Sequence, residues 1–554
     1  MKKILALVLC LVLVVTVFTG CSNNGTDNGN QGNNNTGNQG NNDTGNQNDD
    51  DKFGGTLTIG TYADPDTLNP LTGNDIAGSW MLDLVYPTLM SLDENGNKIP
   101  YIIEEPEIAA DGLTVTVKVV EGLKWQDGTP ITSKDIDFTY TVLSEQNLQW
   151  QAENLKGATW ETPDDQTIVF HLSEPFPTFI TTMGFWQRIV PAHIWSEIDD
   201  IKTFTNDEPV GFGPYKFTEI VRGQHYILER VDEFFLSPEG KPYLEKVIWK
   251  PYPDVNTMVL ALKSGDIDLT AKEIPATTAA EFEGDDKFTV VQNQDLGYEH
   301  IAINLTDPIL KDVNVRTAIA MAVNRDEIIN FAFDGSAEPM PGIISPVYQK
   351  YQIGNDLPSY DVEGAKNVLA DAGYKDTNND GVLNAPNGEE LSFTLMFANS
   401  VTTHEKVSRI VVDNLKAIGI EAIPQPMDKS LQTDKLYNRG EWQLTINTWG
   451  AIDDVESSMA TLFESSAALN WMQYNNPKAD EAMNNMKAAV SEEDIMKYMD
   501  EFQKEMVKDI PDIPLVVKKN NYAYNSKFEG FVMVPSTLEG LVHPGSLSQV
   551  YINE

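Results

Sequence analysis

Residues Asp111-Gly-Leu-Thr-Val-Thr-Val-Lys118, then Lys124-Trp-Gln-Asp-Gly-Thr-Pro130 and Ser133-Lys-Asp135, hold a strand, a turn and a helix start in 25 residues. Val115, Val117 and Val119 fall on one face of an extended chain, Thr114, Thr116 and Lys118 on the other. Gly128 and Pro130 then break the pattern, and Ser133 to Asp135 has helix-opening chemistry. The same alternation appears earlier, in Gly55-Thr-Leu-Thr-Ile-Gly60, where Asp64-Pro-Asp-Thr-Leu-Asn-Pro70 ends it. Later segments read as helices. Val315, Ala318, Ile319 and Ala322 recur at helical spacing. Asp361 is an N-cap before the stripe Val362, Ala365, Leu369 and Ala372, and Gly373 is the stop. Ser491 opens another, with Ile495, Met499, Phe502 and Met506 inward. Strand-like runs Ser392 to Phe397, Leu444 to Thr448 and Leu515 to Val517 alternate with them, so the fold class is α/β.

The beginning of the chain has a different composition. Lys2 and Lys3 precede an apolar run from Ile4 to Phe18, then Thr19-Gly20-Cys21. The run falls short of the ~20 apolar residues of a membrane span but suits a signal peptide, assigned to 1–20. Phe18-Thr-Gly-Cys21 resembles the bacterial lipobox, in which the Cys is lipidated and begins the mature chain. An ordinary secretory signal with an incidental Cys is the plainer alternative. Residues 21–52 are almost all Asn, Gly, Gln, Thr and Asp, which cannot build a core and read as a lipid-anchored disordered linker. A coil of that length reaches ~30 Å.

The only other cysteine, Cys10, lies in the signal, so the mature body has no disulfide. The net charge is −44. A surface this acidic repels nucleic acid and anionic lipid, leaving membrane contact to the lipid alone.

Along the body, phrases of one family follow in order. They are Gly54-Gly-Thr-Leu57, Leu68-Asn-Pro70, Val85-Tyr-Pro-Thr-Leu89, the 111–135 segment, Pro191-Ala-His-Ile-Trp195 and Pro209-Val-Gly-Phe-Gly-Pro-Tyr215. Ser264-Gly-Asp-Ile-Asp268, Asn324-Arg325, Ala372-Gly-Tyr374, Tyr474-Asn-Asn-Pro477 and Pro511-Asp-Ile-Pro-Leu515 come next. Residues 54 to 531 thus resemble the family 5 extracellular solute-binding proteins. The resemblance implies a type II periplasmic-binding-protein-like fold, with two hinged lobes and an extra domain. Lobe I is expected at 53–95, 205–305 and 515–554, domain II at 96–204 and lobe III at 306–514. It also implies a monomer that passes peptide to an ABC permease on the extracytoplasmic face of the cell membrane.

Closure about a hinge would remove water from the ligand and strengthen polar contacts. An extended peptide needs main-chain hydrogen bonds and a carboxylate for its ammonium. The resemblance places these at Asn447-Thr-Trp-Gly-Ala-Ile-Asp-Asp-Val-Glu456, where Trp449 matches the cleft Trp, with Gly450 and Ala451 beside it. The family's oligopeptide binders carry an Asp three residues past that Trp, and Ile452 stands here instead. Asp453 or Asp454 is the expected substitute, and helix capping is the alternative role for both. Ala63, Asp64, Trp80, Asn470, Trp471 and Tyr474 are further cleft candidates, whereas Trp125 reads as structural.

Asp376-Thr-Asn-Asn-Asp-Gly381 has the spacing of an EF-hand start, with Asp376, Asn378 and Asp380 as candidate ligands of a structural Ca²⁺. Asn387 occupies the position of the closing Glu, and a polar turn is the alternative. The six histidines include no pair at metal-ligand spacing. No Gly-x-Ser-x-Gly elbow, phosphate loop or free thiol is available, so no catalysis and no cofactor are expected. Three rivals to the peptide reading remain: an oligosaccharide or other small solute in the same fold, a surface hydrolase, and a signalling receptor.

Overall fold

The computed structural model describes residues 52–553, apart from 74, 94–96, 150, 177, 439–440, 451, 453 and 536–539. The expected signal 1–20, Cys21 and all of the linker except Lys52 therefore lie outside the described residues. Thr56–Thr61 forms a strand with Leu57 and Ile59 fully buried, as its alternation requires. It pairs in parallel with Lys246–Pro251, which continues antiparallel to His225–Arg230 and Tyr215–Val221. On its other side stand Leu269–Thr270 and then the long strand Asp512–Asn525.

That long strand joins two halves. Its first part pairs with Tyr298–Ile303, which leads to Leu444–Trp449, Ser392–Ala398 and Glu421–Met427. Its second part pairs with Phe288–Gln294. The exchange of partners falls at Asp295 to Gly297 and at Lys518–Lys519, where Asp295 N donates to Lys518 O. Tyr298–Ile303, expected in the first lobe, is thus hydrogen-bonded into the second, and so is the start of the long strand. The boundaries at 305 and 515 need this correction. Periodicity marks an extended run but does not say which neighbour it pairs with.

The segment 96–204 holds a separate four-stranded sheet, ordered Glu107–Ile108, Thr114–Lys118, Thr167–His171, Thr159–Glu161. Helix Ser133–Gln146 covers it. Thr132 N donates to Asp135 Oδ2 at 2.8 Å while the Thr132 side chain accepts from Asp135 N, a capping box that fixes the helix start, and Asp135 Oδ1 also accepts from Ala192 N. Trp125 is buried and its turn docks on Gly211, whose carbonyl accepts from Gln126 N. A Cβ on Gly211 would sit 1.9 Å from Val85 O, and one on Gly213 2.1 Å from Leu84 O, so only glycine lets these backbones meet. One continuous apolar core runs from Leu57 and Ile59 through Val115, Val117 and Phe170, which fixes this segment firmly on the first lobe.

In the second half, apolar clusters cover both sheet faces. One holds Val315, Ile319, Leu369 and Val411, the other Trp449, Met459, Met499 and Phe502. The helices follow the expected caps. Asp361 accepts from Gly364 N at the start of Val362–Asp371, Gly373 has φ +91°, and Ser491 caps Glu492–Asp509. No helix among the described residues is long and apolar enough to cross a membrane.

Candidate functional site

Strand Leu444–Trp449 lies against Tyr298–Ile303 in the register Tyr298↔Trp449, Glu299↔Thr448, His300↔Asn447. Alternation sends Trp449 and His300 to one face. Their rings stack at 4.8 Å, and on the other side of Trp449 lies Trp471 at 4.6 Å. Tyr437 meets the edge of Trp471 at 5.9 Å. Beyond the strand, Gly450 is exposed and its Cα faces open space. The step back to Gly297 is tight, since a Cβ there would lie 2.1 Å from Trp449 O. Around the stack, Tyr298 Oη, His300 Nε2, Trp449 Nε1, Trp471 Nε1 and Asp512 Oδ2 are buried with no hydrogen-bond partner among the described residues. These are donors and acceptors in one place, since the indole nitrogens donate and the Asp512 oxygen accepts.

Ile452, three residues after Trp449, is buried in the apolar cluster with Val455 and Met459. A carboxylate there would face hydrocarbon. Asp454 caps helix Val455–Phe463 through Ser457 N and accepts the Ser457 hydroxyl at 2.5 Å. It also accepts hydroxyls from Thr178 at 3.0 Å and Thr182 at 2.8 Å, at the start of helix Phe179–Trp186. Asp454 therefore ties the extra segment to the second lobe. Burial works to raise its pKa, but hydrogen bonds from Ser457 and Thr182 outweigh that and hold the carboxyl below its usual range. Asp453 and Ala451, both expected at the site, lie outside the described residues.

The first-lobe candidates have partners of their own. Trp80 is buried, lies parallel to Trp249 at 6.2 Å and meets Tyr62 edge-on. Ala63 is half-buried where the first strand ends. Asp64 Oδ1 accepts from Gly223 N at 2.9 Å and from the Tyr226 hydroxyl at 2.7 Å. The Asp64 carboxylate thus pins a hairpin. Asn470 and Tyr474 are bonded to one another. The Asn470 amide closes a turn on Tyr474 N and O, and the Tyr474 hydroxyl donates to Asp509. Both flank Trp471 in the chain and are buried, Asn470 completely.

In the Asp376 loop, the Asp376 carboxylate accepts the N–H groups of Asn379 and Gly381, and Asp380 accepts that of Val382. Asn378 donates its amide to Asp380 and Glu390. These are the bonds of a polar turn. No group of three or more His, Cys, Asp or Glu among the described residues is placed to hold a metal.

Two buried acid–imidazole pairs were not anticipated. His300 Nδ1 lies 2.7 Å from Asp512 Oδ1 with both side chains at 0% exposure. Glu299, pointing to the opposite face, meets His404 Nε2 and the Thr448 hydroxyl at 2.9 Å, with Lys518 Nζ at 3.7 Å. Burial raises the Glu299 pKa, and the bond and charge of His404 more than offset it, leaving the carboxyl below its usual range. The one signal in the sequence was Glu299-His300 standing inside an otherwise apolar strand.

Comparison with known proteins bears on this geometry. The model of bacterial extracellular solute-binding proteins, family 5 (middle region) matches residues 97–470. The chain belongs to that family. The oligopeptide-binding protein AppA of Bacillus subtilis is 29% identical over 497 residues, covering 87% of this chain and 90% of AppA. The structure of AppA in complex with a nonapeptide superposes with a TM-score of 0.67 at 28% identity, covering 91% of this chain and 100% of AppA. The ABC transporter substrate-binding protein CtaP of Listeria monocytogenes gives a TM-score of 0.77 at 25% identity, with 91% and 100% covered. The chain has the fold of these family 5 proteins, a mixed α/β body on one large sheet.

Proposed function

We propose that this family 5 protein captures short peptides beside the Trp449–Trp471 stack and delivers them to an ABC permease, held at the outer face of the membrane by lipid on Cys21. The observation that carries the reading is the end of strand Leu444–Trp449. A stacked indole pair there adjoins the exposed backbone of Gly450 and a set of uncommitted buried polar groups. Exposed backbone suits main-chain bonding to an extended ligand, and indole faces suit side chains of many kinds. The nonapeptide complex of AppA, at 28% identity, supports peptide as the ligand class. A peptide ammonium needs a carboxylate. Asp454 already receives hydroxyls from two threonines, so Asp453 is the candidate anchor.

Native mass spectrometry of the purified protein, followed by melting curves with a peptide library, tests this. Co-purified peptides and a rise in melting temperature with library peptides are expected. Stabilisation by oligosaccharides alone would favour the second reading, in which the indole stack packs against sugar rings. Palmitate labelling that is lost in Cys21→Ser tests the anchor.

A further inference from the structure

The apolar residues of the body fall into separate cores, and one contact between them is polar. The core that fixes the extra segment on the first lobe includes Phe179, Ile180 and Met183 from helix Phe179–Trp186. A second-lobe cluster includes Ile452, Val455 and Met459, at the start of helix Val455–Phe463. No described residue belongs to both clusters. What joins these two helix starts is the Asp454 carboxylate. Its Oδ1 serves the cap on Ser457 N, while its Oδ2 gathers the hydroxyls of Ser457, Thr178 and Thr182. Asp454 and Thr182 are buried in the contact. The charge of Lys98, on strand Lys98–Pro100 of the extra segment, also favours the ionised carboxylate.

Neither threonine hydroxyl serves its own helix. Thr178 stands at the N-cap position of Phe179–Trp186 and makes no cap hydrogen bond with its side chain. The Thr182 hydroxyl donates to Asp454, although a threonine inside a helix can satisfy itself on a carbonyl of its own turn. Large hydrophobic interfaces fix domains in place, whereas small polar ones let them move. Separating this contact would return one carboxylate and two hydroxyls to water, which supplies new partners, and would break no shared apolar core. Asp454 also lies only a short stretch of chain beyond Trp449. Docking of the carboxylate and contact with a ligand at the indole stack are therefore made from one connection.

We infer that Asp454, Thr178 and Thr182 form a closure latch, in which the carboxylate docks on the two hydroxyls when the second lobe closes against the extra segment. All three act as positioning residues: they bias the closed state and so set how long peptide is held. The inference rests on peptide capture beside Trp449 for its use, though not for its geometry.

Small-angle scattering of the free protein, with stopped-flow dissociation of a dansyl-labelled peptide selected from the library, tests the latch. The double variant Thr178→Val with Thr182→Val keeps the side-chain shape and removes both hydroxyls. Without peptide it should have a larger radius of gyration than the wild type. Peptide should leave it about tenfold faster, while association changes by less than about twofold. Thr178→Ser with Thr182→Ser keeps both hydroxyls and should match the wild type in both measurements. The inference is overturned if the valine pair changes neither the free radius nor the dissociation rate. It is also overturned if the serine pair loses as much as the valine pair, because packing and not hydroxyl bonding would then be responsible. If the valine pair fails to fold, Thr182→Val alone takes its place and is read in the same way. If the wild type binds no library peptide, the proposed function fails, and the free radius alone decides for or against the latch.

Discussion

Trp449 is held between His300 and Trp471, and its position is set by the last pair of a strand. Removing the indole should leave the strand intact and strip the wall of the site. Trp449→Ala is expected to weaken peptide binding about 30-fold, the ~2 kcal/mol of a binding hot spot, with a smaller loss of melting temperature. Titration calorimetry beside a melting curve separates the two. Asp454 makes the opposite case. Its oxygens serve a helix cap and two hydroxyls from another segment, so Asp454→Ala should cost about 1 kcal/mol through the cap and more through the stranded threonines. Asp454→Asn keeps the cap and should recover part of the loss in denaturant unfolding. The family resemblance drew attention to Trp449 and Asp454, and the helix cap expected as an alternative for Asp454 is present. The sequence could not assign the Asp454 bond to Thr182, because those residues are 272 positions apart and nothing local encodes the meeting.

The short helix Pro544–Leu547 shows what one element contributes. Its N-cap is His543, whose Nδ1 accepts from Ser546 N while Nε2 donates to Val532 O. That arrangement requires the neutral ring. Burial pushes its pKa from 6.5 down to about 4. Because the folded value is lower, the unfolded chain binds the proton first as pH falls. The stabilisation is full above 6.5 and is lost progressively as pH drops from 6.5 toward 4, on the order of 3 kcal/mol in all. His543→Gln should flatten the pH dependence of denaturant stability in that window. A second element-scale expectation concerns Gly211. Gly211→Ala forces a methyl onto Val85 O and should destabilise the first lobe by about 3 kcal/mol or more, read as a lower unfolding midpoint. Elements themselves were the most legible level of the sequence. Leu57 and Ile59 point inward as their alternation predicts, and Asp361, Gly373 and Ser491 end their helices as their chemistry predicts. The Asp376 loop is bonded as a polar turn, the alternative its spacing shares with an EF-hand start.

For the whole molecule, the pairing pattern was hidden while the architecture was not. The family resemblance of the ordered motifs implied two lobes and an added domain, yet the strands that cross between lobes lay elsewhere than expected. The crossing has Lys518 beside Glu299, and Lys519 at 2.6 Å from Glu338. Glu299 has a depressed pKa, so its contribution is present above the ordinary carboxylate range and is lost as pH falls through its folded value. Glu299→Gln should therefore lower stability at neutral pH and show less change on acidification, measured by urea unfolding at pH 7 and pH 4. If the lobes close on peptide, small-angle scattering should record a smaller radius of gyration on addition of a library-selected peptide.

The long strand Asp512–Asn525 also governs when the molecule can become itself. Its neighbours on one side are Phe288–Gln294 and Tyr298–Ile303, on the other Leu269–Thr270 and Ala337–Pro339, all made long before it in the chain. Until residues 512–525 are available, both halves of the great sheet lack their middle. Contacts this distant in sequence are slow to form. Synthesis from the amino end would thus deliver a long chain with an incomplete sheet, and the final cooperative step waits for a single late segment. Such timing acts as a delay line, keeping the chain pliable until nearly all of it has been made.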